Sequence, residues 1–318
     1  MKAIGGYFPL ELPYIGNMPH GDGLLVNSGR NALELVLRSI PCVTRVYIPY
    51  YTCDVVLEPF QKLSIPYTFY HLGQHLELVD DITLGDGEYI LYTNYFGIQD
   101  SYIQHLSARY GDKLIVDHAQ ALYAPATAKC IYSPRKFVGA PDGGIAYTES
   151  SVDLSIYDVD SSADRCSHLL IRHDAGASAG YAAFRANSAT LKQQPIRQMS
   201  PLTRTLLSSI DFAAVRQRRI ANFQLLHAHL AATNLLDIPS LDSFACPMIY
   251  PYLTNDATLK QRLIQDKIFV ATYWPNVMEW CTEDMVEYQM ALSIIAIPID
   301  QRYGIKDMNR IVELIKAE

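Results

Sequence analysis

"KLIVDHAQA", Lys113 to Ala121, decides the fold. Its apolar half is the right length for a strand, and the strand ends in a polar cluster that begins at Asp117. A carboxylate there is costly to desolvate without a partner. Such a residue is either a cap or turn residue, or it holds a cation. Working outward, the same pattern recurs. "RVYIPY", "PYTFYHL" and "EYILYTNYF" read as strands; "NALELVLRSI", "CDVVLEPFQKL" and "SYIQHLSARYG" read as helices between them, the last closed by Gly111. Strand–helix alternation at this spacing predicts a mostly parallel α/β sheet, and ligands gather at the carboxyl ends of such strands. Thr52, Thr93, Asn94 and the Asp117–Gln120 cluster fall at those ends.

Downstream, "YSPRKFVGAPDGG", Tyr132 to Gly144, packs two cations, two prolines and three glycines ahead of the strand "GIAYT". It is poor material for a helix interior or a central strand. It reads as a rigid, turn-rich loop that fixes Lys136 at one point, and a lysine so held is an amine nucleophile toward an aldehyde. Upstream, "NSGRNAL" puts Ser28, Gly29 and Arg30 at a helix N-terminus. Free N–H groups, a hydroxyl and a guanidinium there suit a phosphate. Ser133 adds a hydroxyl close to Lys136. A carboxylate for a ring nitrogen, a lysine for an aldehyde and a helix start for a phosphate together describe pyridoxal 5′-phosphate (PLP).

The bulk numbers are those of a globular protein: 318 residues, 49% hydrophobic, 19% charged, net charge −7. The negative balance argues against nucleic acid and anionic membranes as partners. The N-terminal stretch lacks the basic and apolar blocks of a signal peptide, and no apolar run is long enough to span a bilayer, so a cytoplasmic protein is expected. Six scattered cysteines without a C-x-x-C pair read as reduced, mostly buried thiols, with no metal site. From Gly143 to Ala186 the pattern weakens into a polar, Ser- and Gly-rich region. "SPLTRTLL" through Asn234 then reads as one or two long helices, and "MIYPYL", "LKQRLIQDKI", "SIIAIPI" and "IKDMNRIVELIKA" as a smaller α+β unit. Arg216, Arg218 and Arg219 are read as the solvated face of a helix, with an anion site as the alternative, and His118 as a packed strand-end residue.

These stretches resemble the DegT/DnrJ/EryC1/StrS family of PLP-dependent sugar aminotransferases over most of the chain. "NSGRNAL" stands where that family has S-G-T-x-A-L, "VYIPYYT" where it has V-I-x-P-x-x-T, "YTNYFG" where it has H-L-Y-G and "VDHAQA" where it has D-x-A-Q/H-A. "YSPRKFVGAPDGGIAYT" matches S-F-x-P-x-K-x-L-G-x-x-x-G-G, and "TYWP" its later Y-P segment. The resemblance implies PLP-dependent transferase fold type I: a mixed, mostly parallel sheet flanked by helices over residues 1–205, and a small C-terminal α+β domain over residues 206–318. It implies that Lys136 bonds the cofactor and shuttles a proton, that Asp117 pairs with the pyridinium nitrogen, and that Gln120 bonds the 3′ oxygen. Ser28, Gly29, Arg30 and Ser133 hold the phosphate. It implies a homodimer that aminates a nucleotide-linked keto sugar with glutamate or glutamine as donor, in cell-surface polysaccharide biosynthesis. The alternatives are another PLP reaction on an amino acid, or a degenerate homologue that binds a small molecule without turnover.

The chain departs from the family at named positions. Ile131 stands five residues before the lysine, where the family has its phosphate-binding Ser, so Ser133 is the replacement. Cys53 stands where the family has an aromatic that stacks on the cofactor, and Tyr51 is the nearest substitute. The N-x-R-M segment is not clear in "PLTRTLL", and the chain is shorter than usual members.

Overall fold

The computed structural model of the chain describes residues 5–242 and 245–317; Met1–Ile4 of the N-terminal stretch lie outside the described residues. β1 (Leu24–Val26), β2 (Arg45–Pro49), β3 (Tyr67–Tyr70), β4 (Glu88–Thr93), β5 (Leu114–Asp117), β6 (Cys130–Tyr132) and β7 (Gly144–Tyr147) form one sheet in the order β1-β7-β6-β5-β4-β2-β3. β3, β2, β4, β5 and β6 run parallel, and β7 is antiparallel to both its neighbours. The sheet is therefore mixed and mostly parallel.

Its two faces follow from the two-residue period of a strand. Leu91, Ile115 and Ile131 pack on one side with Leu33, Val36 and Phe60 of α1 (Gly29–Ser39) and α2 (Leu57–Leu63). Tyr92, Val116 and Tyr132 point the other way, into a second cluster that continues through Tyr250 and Ile297 into the C-terminal part of the chain. Both faces are covered, which is why the central strands read as continuous apolar runs. Helix ends are set locally. Ser28 caps α1, its Oγ accepting from Asn31 N, and α3 (Asp100–Tyr110) stops at Gly111, where φ is +56°.

Residues 143–186 are more ordered than their composition suggests. α4 (Ser167–Thr190) occupies the stretch in which no helix was expected. Its 24 residues bury only His168, Gly180 and Asn187, so no apolar stripe marks it, and its Ala-rich second half relies on propensity instead. At Gly176 the backbone leaves helical geometry (φ +86°), and the two arms fold together. A Cβ on Gly180 would lie 3.1 Å from the His168 carbonyl oxygen, so the hairpin closes only over a glycine.

α5 (Pro201–Ser208) and α6 (Phe212–Leu230) lead to the C-terminal lobe. Residue 205, the expected domain limit, falls inside α5. The lobe pairs β8 (Ile249–Leu253) with β9 (Ile294–Pro298) antiparallel, and carries α7 (Leu259–Gln265), α8 (Val277–Trp280), α9 (Val286–Ser293) and α10 (Ile305–Lys316).

Candidate functional site

A cavity of about 980 Å³ opens where the carboxyl ends of the parallel strands, the N-terminus of α1 and the start of the C-terminal lobe meet. Thr93, Asp117 and Ile131 stand side by side there in strand register, and all three line it. Asp117 is 7% exposed, and one of its oxygens, Oδ1, accepts the Ala119 N–H at 2.7 Å. Burial raises its carboxyl above the usual range, and the positive charge of Lys136 works against that rise. A buried carboxylate in this state is stabilised by any further cation brought into the cavity.

Lys136 ends a 3-10 turn, Pro134–Lys136, that leaves β6. Around it the chain is held on every side: Phe137, Val138 and Ala140 are buried. The Phe137 carbonyl accepts from Arg219 Nη2 at 3.0 Å and Gln301 Nε2 at 2.9 Å. Lys136 itself is exposed into the cavity. The closing "DGG" explains the rest of the loop's composition. Asp142, fully buried, accepts from Ser162 Oγ (2.6 Å), Arg165 Nε (2.7 Å) and Thr203 Oγ1 (2.5 Å). At Gly144 an added Cβ would sit 2.1 Å from the Ser28 carbonyl oxygen, and the Gly143 N–H donates to Asn27 O at 2.9 Å. Only glycine lets β7 approach the start of α1 so closely.

That approach assembles the anion-binding end. Ser28, Gly29, Arg30 and Ser133 all line the cavity, and Ser133 Oγ lies 3.7 Å from the position of a Cβ on Gly29. The Ser28 hydroxyl is committed to its cap, also donating to Asn31 Oδ1 at 2.6 Å. Arg30 faces Glu58 at 3.6 Å and its buried Nε has no hydrogen-bond partner, while Glu34 is taken by Arg38 and Lys62. Glu34, four positions on from Arg30, is therefore occupied by other cations. Gln120 accepts the Phe96 N–H through Oε1 (2.8 Å), which leaves its buried Nε2 without a partner at the cavity wall. A buried donor without a partner costs about 1–3 kcal/mol, so a ligand acceptor there is favoured.

Tyr51 does not reach this site. Its ring is fully buried against Tyr95 and Trp274, and the cavity is lined instead by Thr52 and Cys53. Burial raises the Cys53 thiol above its ordinary range. Ile131 packs into the apolar layer beneath α1 and offers no donor.

His118 is packed, as read: buried, stacked on Tyr132, bonded to Asn94, and pushed by burial to about 3, so it stays neutral. Arg219 overturns its reading as solvated. It is 2% exposed and donates to the carbonyls of Phe137 and Met248, joining the lysine loop to β8. The signal was present in the helix period: Val215, Arg219, Phe223, Leu226 and Leu230 form one buried stripe. Arg135, His168, Arg172, Tyr273 and Trp274 also line the cavity and were not singled out as site residues. No helix among the described residues is long and apolar enough to cross a membrane, and no group of metal-binding side chains occurs among them.

No protein-family model matches the sequence, and no curated protein sequence matches it. Solved structures do match. The sugar aminotransferase Spr1654 from Streptococcus pneumoniae, in its PMP form, aligns with a TM-score of 0.66 at 16% identity, over 92% of this chain and 86% of that one. DesI, determined with its TDP-sugar product, gives 0.63 at 16% over 95% and 81%. A DegT DnrJ EryC1 StrS aminotransferase from Brucella abortus gives 0.60 at 14% over 92% and 84%. At these identities the likeness is one of architecture: the chain has the fold type I architecture of PLP-dependent sugar aminotransferases.

Proposed function

We propose that the cavity binds PLP and that the protein is a sugar aminotransferase. It would move an amino group from glutamate or glutamine to a keto sugar carried on a nucleotide. One observation carries the reading. A buried carboxylate, Asp117, and an open amine, Lys136, face one cavity from the ends of adjacent strands, with the N-terminus of α1 and the Ser133 hydroxyl beside them. The fold shared with sugar aminotransferases supports it.

When bound, PLP supplies an electron sink that lets a proton leave the carbon bearing the amino group. Asp117 would hold the ring nitrogen in its protonated form, since in a buried site its carboxylate charge is stabilised by a cation brought beside it. The Lys136 amine would hold the cofactor at its aldehyde carbon, with loss of water, and, once a substrate amine displaces it there, would be free to take and return the substrate proton. Gln120 Nε2 would donate to the ring oxygen. Gly29 N–H, Ser133 and Arg30 would hold the phosphate, with Arg30 compensating for the donor that Ile131 lacks. The apolar layer under Ile131 would keep water from that face. On the same reading the protein is a homodimer of the cytoplasm serving cell-surface polysaccharide synthesis; its six free cysteines suit a reducing compartment.

Purified protein incubated with PLP should show an absorbance band that bleaches on adding glutamate or glutamine. Borohydride reduction and peptide mapping should place a pyridoxyl group on Lys136. A label on Lys113 or Lys129 would sink the assignment.

A further inference from the structure

The loops that follow β2, β3, β4 and β6 are each tied to the C-terminal lobe by a hydrogen bond to main chain. Asn276 Nδ2 donates to Thr52 O at 2.8 Å, Glu287 Oε1 accepts the Leu72 N–H at 2.7 Å, and the Met248 N–H donates to Phe96 O at 2.8 Å. The tie to the β6 loop falls on the residue next to Lys136. There Gln301 Nε2 donates to the Phe137 carbonyl at 2.9 Å, alongside Arg219 Nη2. Gln301 stands in the turn between β9 and α10 and is half-buried at the cavity wall. Its partner settles its amide orientation, since only the NH2 side can serve a carbonyl oxygen. The turn itself is fixed. Asn222 of α6 donates to Ile299 O at 3.0 Å and Tyr303 O at 3.1 Å, and Arg302 forks the Asp300 carboxylate at 2.6 and 2.8 Å.

Phe137 is held as a whole. Its ring is 2% exposed under the Arg219 guanidinium, 4.7 Å away, and its N–H donates to Pro134 O at 2.9 Å. Lys136 differs: among the described residues no hydrogen bond holds its amine. Its flexible four-carbon stem takes its starting direction from the main chain, and the next residue along is the one that is clamped. A carbonyl oxygen has two lone pairs, and a single donor leaves it free to swing; Arg219 and Gln301 bond it from two directions. We propose that Gln301 is a positioning residue for Lys136: from the C-terminal lobe it fixes the Phe137 carbonyl, and through that peptide the point from which the lysine amine reaches the reacting carbon. The role rests on the reading of Lys136 as the amine that bonds PLP.

Two forms of the cofactor separate position from structure. The aldehyde of PLP condenses with a lysine amine and releases water, whereas pyridoxine 5′-phosphate carries an alcohol at that carbon and cannot. Titration of the full-length, PLP-free protein with each, followed by quenching of its own fluorescence, gives two dissociation constants. The wild type should bind PLP more tightly than pyridoxine 5′-phosphate, and Lys136→Ala should bind the two alike. Gln301→Leu keeps the bulk and removes the donor. It should weaken PLP by about tenfold, the size of one hydrogen bond, and pyridoxine 5′-phosphate by less than about twofold. Gln301→Met, a more flexible side chain of similar length, should behave likewise and serves if leucine disturbs the fold. Equal loss of both ligands would make Gln301 a structural residue only, and a wild-type preference for PLP left intact would show that Lys136 is placed without it. Either result overturns the role and leaves the PLP reading standing. A wild type that binds the two ligands alike overturns both, since Lys136 then bonds no aldehyde.

Discussion

The lysine loop and the α4 hairpin both face the cavity, and they are built in opposite ways. In the loop, Lys136 is the exposed point of a segment whose neighbours are buried and whose carbonyls are held by Arg219 and Gln301. In α4 three residues are buried and the outer face is open, with Leu170 at 64% and Tyr181 at 60% exposure. The loop gains its position from backbone hydrogen bonds and glycine contacts that a substitution disturbs at once. The hairpin presents cations from a scaffold that touches little else. A group that must meet one reacting atom is fixed to within a fraction of an ångström, whereas a group that recognises charge tolerates looser support. On the proposed function the first region carries the chemistry, and the second is a more loosely built wall of the same cavity.

The comparison breaks first, if it breaks, at Asp117. Asp117→Asn should lower the rate of the glutamate-induced absorbance change by about a thousandfold or more, since an amide does not favour a protonated ring nitrogen. The same change should stabilise the PLP-free protein. The sign follows from its raised carboxyl: the wild-type cost is absent below the ordinary carboxylate range and appears as pH rises through the folded value. Urea midpoints of wild type and variant should therefore lie closest at about pH 3 and separate toward pH 7. A rate within about threefold of wild type would remove Asp117 from the site.

A smaller effect is expected at the clamp. Arg219→Met leaves the Met248 carbonyl without its donor and the Phe137 carbonyl with one of two, and should cost about 2–3 kcal/mol in urea unfolding. A loss below about 0.5 kcal/mol would show that the lysine loop is held by its glycine contacts alone. The smallest effect belongs to the hairpin. Tyr181→Ser, on its open face, should shift stability by no more than about 0.5 kcal/mol. A larger loss would mean that α4 is as firmly built as the loop, and the contrast would fail.

Much of the architecture was legible because its signals are local. Apolar runs marked β2, β4 and β5, Ser28 and Gly111 marked helix ends, and the polar residues at strand termini pointed to the cavity. Most of the expected site residues line that cavity: Ser28, Gly29, Arg30, Asp117, Gln120, Ser133 and Lys136. Tyr51 was misplaced because β2 ends at Pro49 and the chain bends over residues 50–52, so that Tyr51 turned into the core while Thr52 and Cys53 faced the cavity. α4 was missed because its residues bury too little to leave a period, and Arg219 because three arginines together outweighed the stripe that one of them belongs to.

By itself, then, the sequence determined every strand except the three-residue β1 and β6, too short to leave a pattern, together with the capped helix start, the Asp117 strand end and the glycine-rich lysine loop, since each depends on residues within a few positions of one another. Only the tertiary structure decided what meets across long separations. Gly144 against Ser28, Arg219 against Phe137, and Arg135 against Ser188 are contacts between segments far apart in the chain. They arise from sheet order and packing, for which no single stretch of residues carries the information.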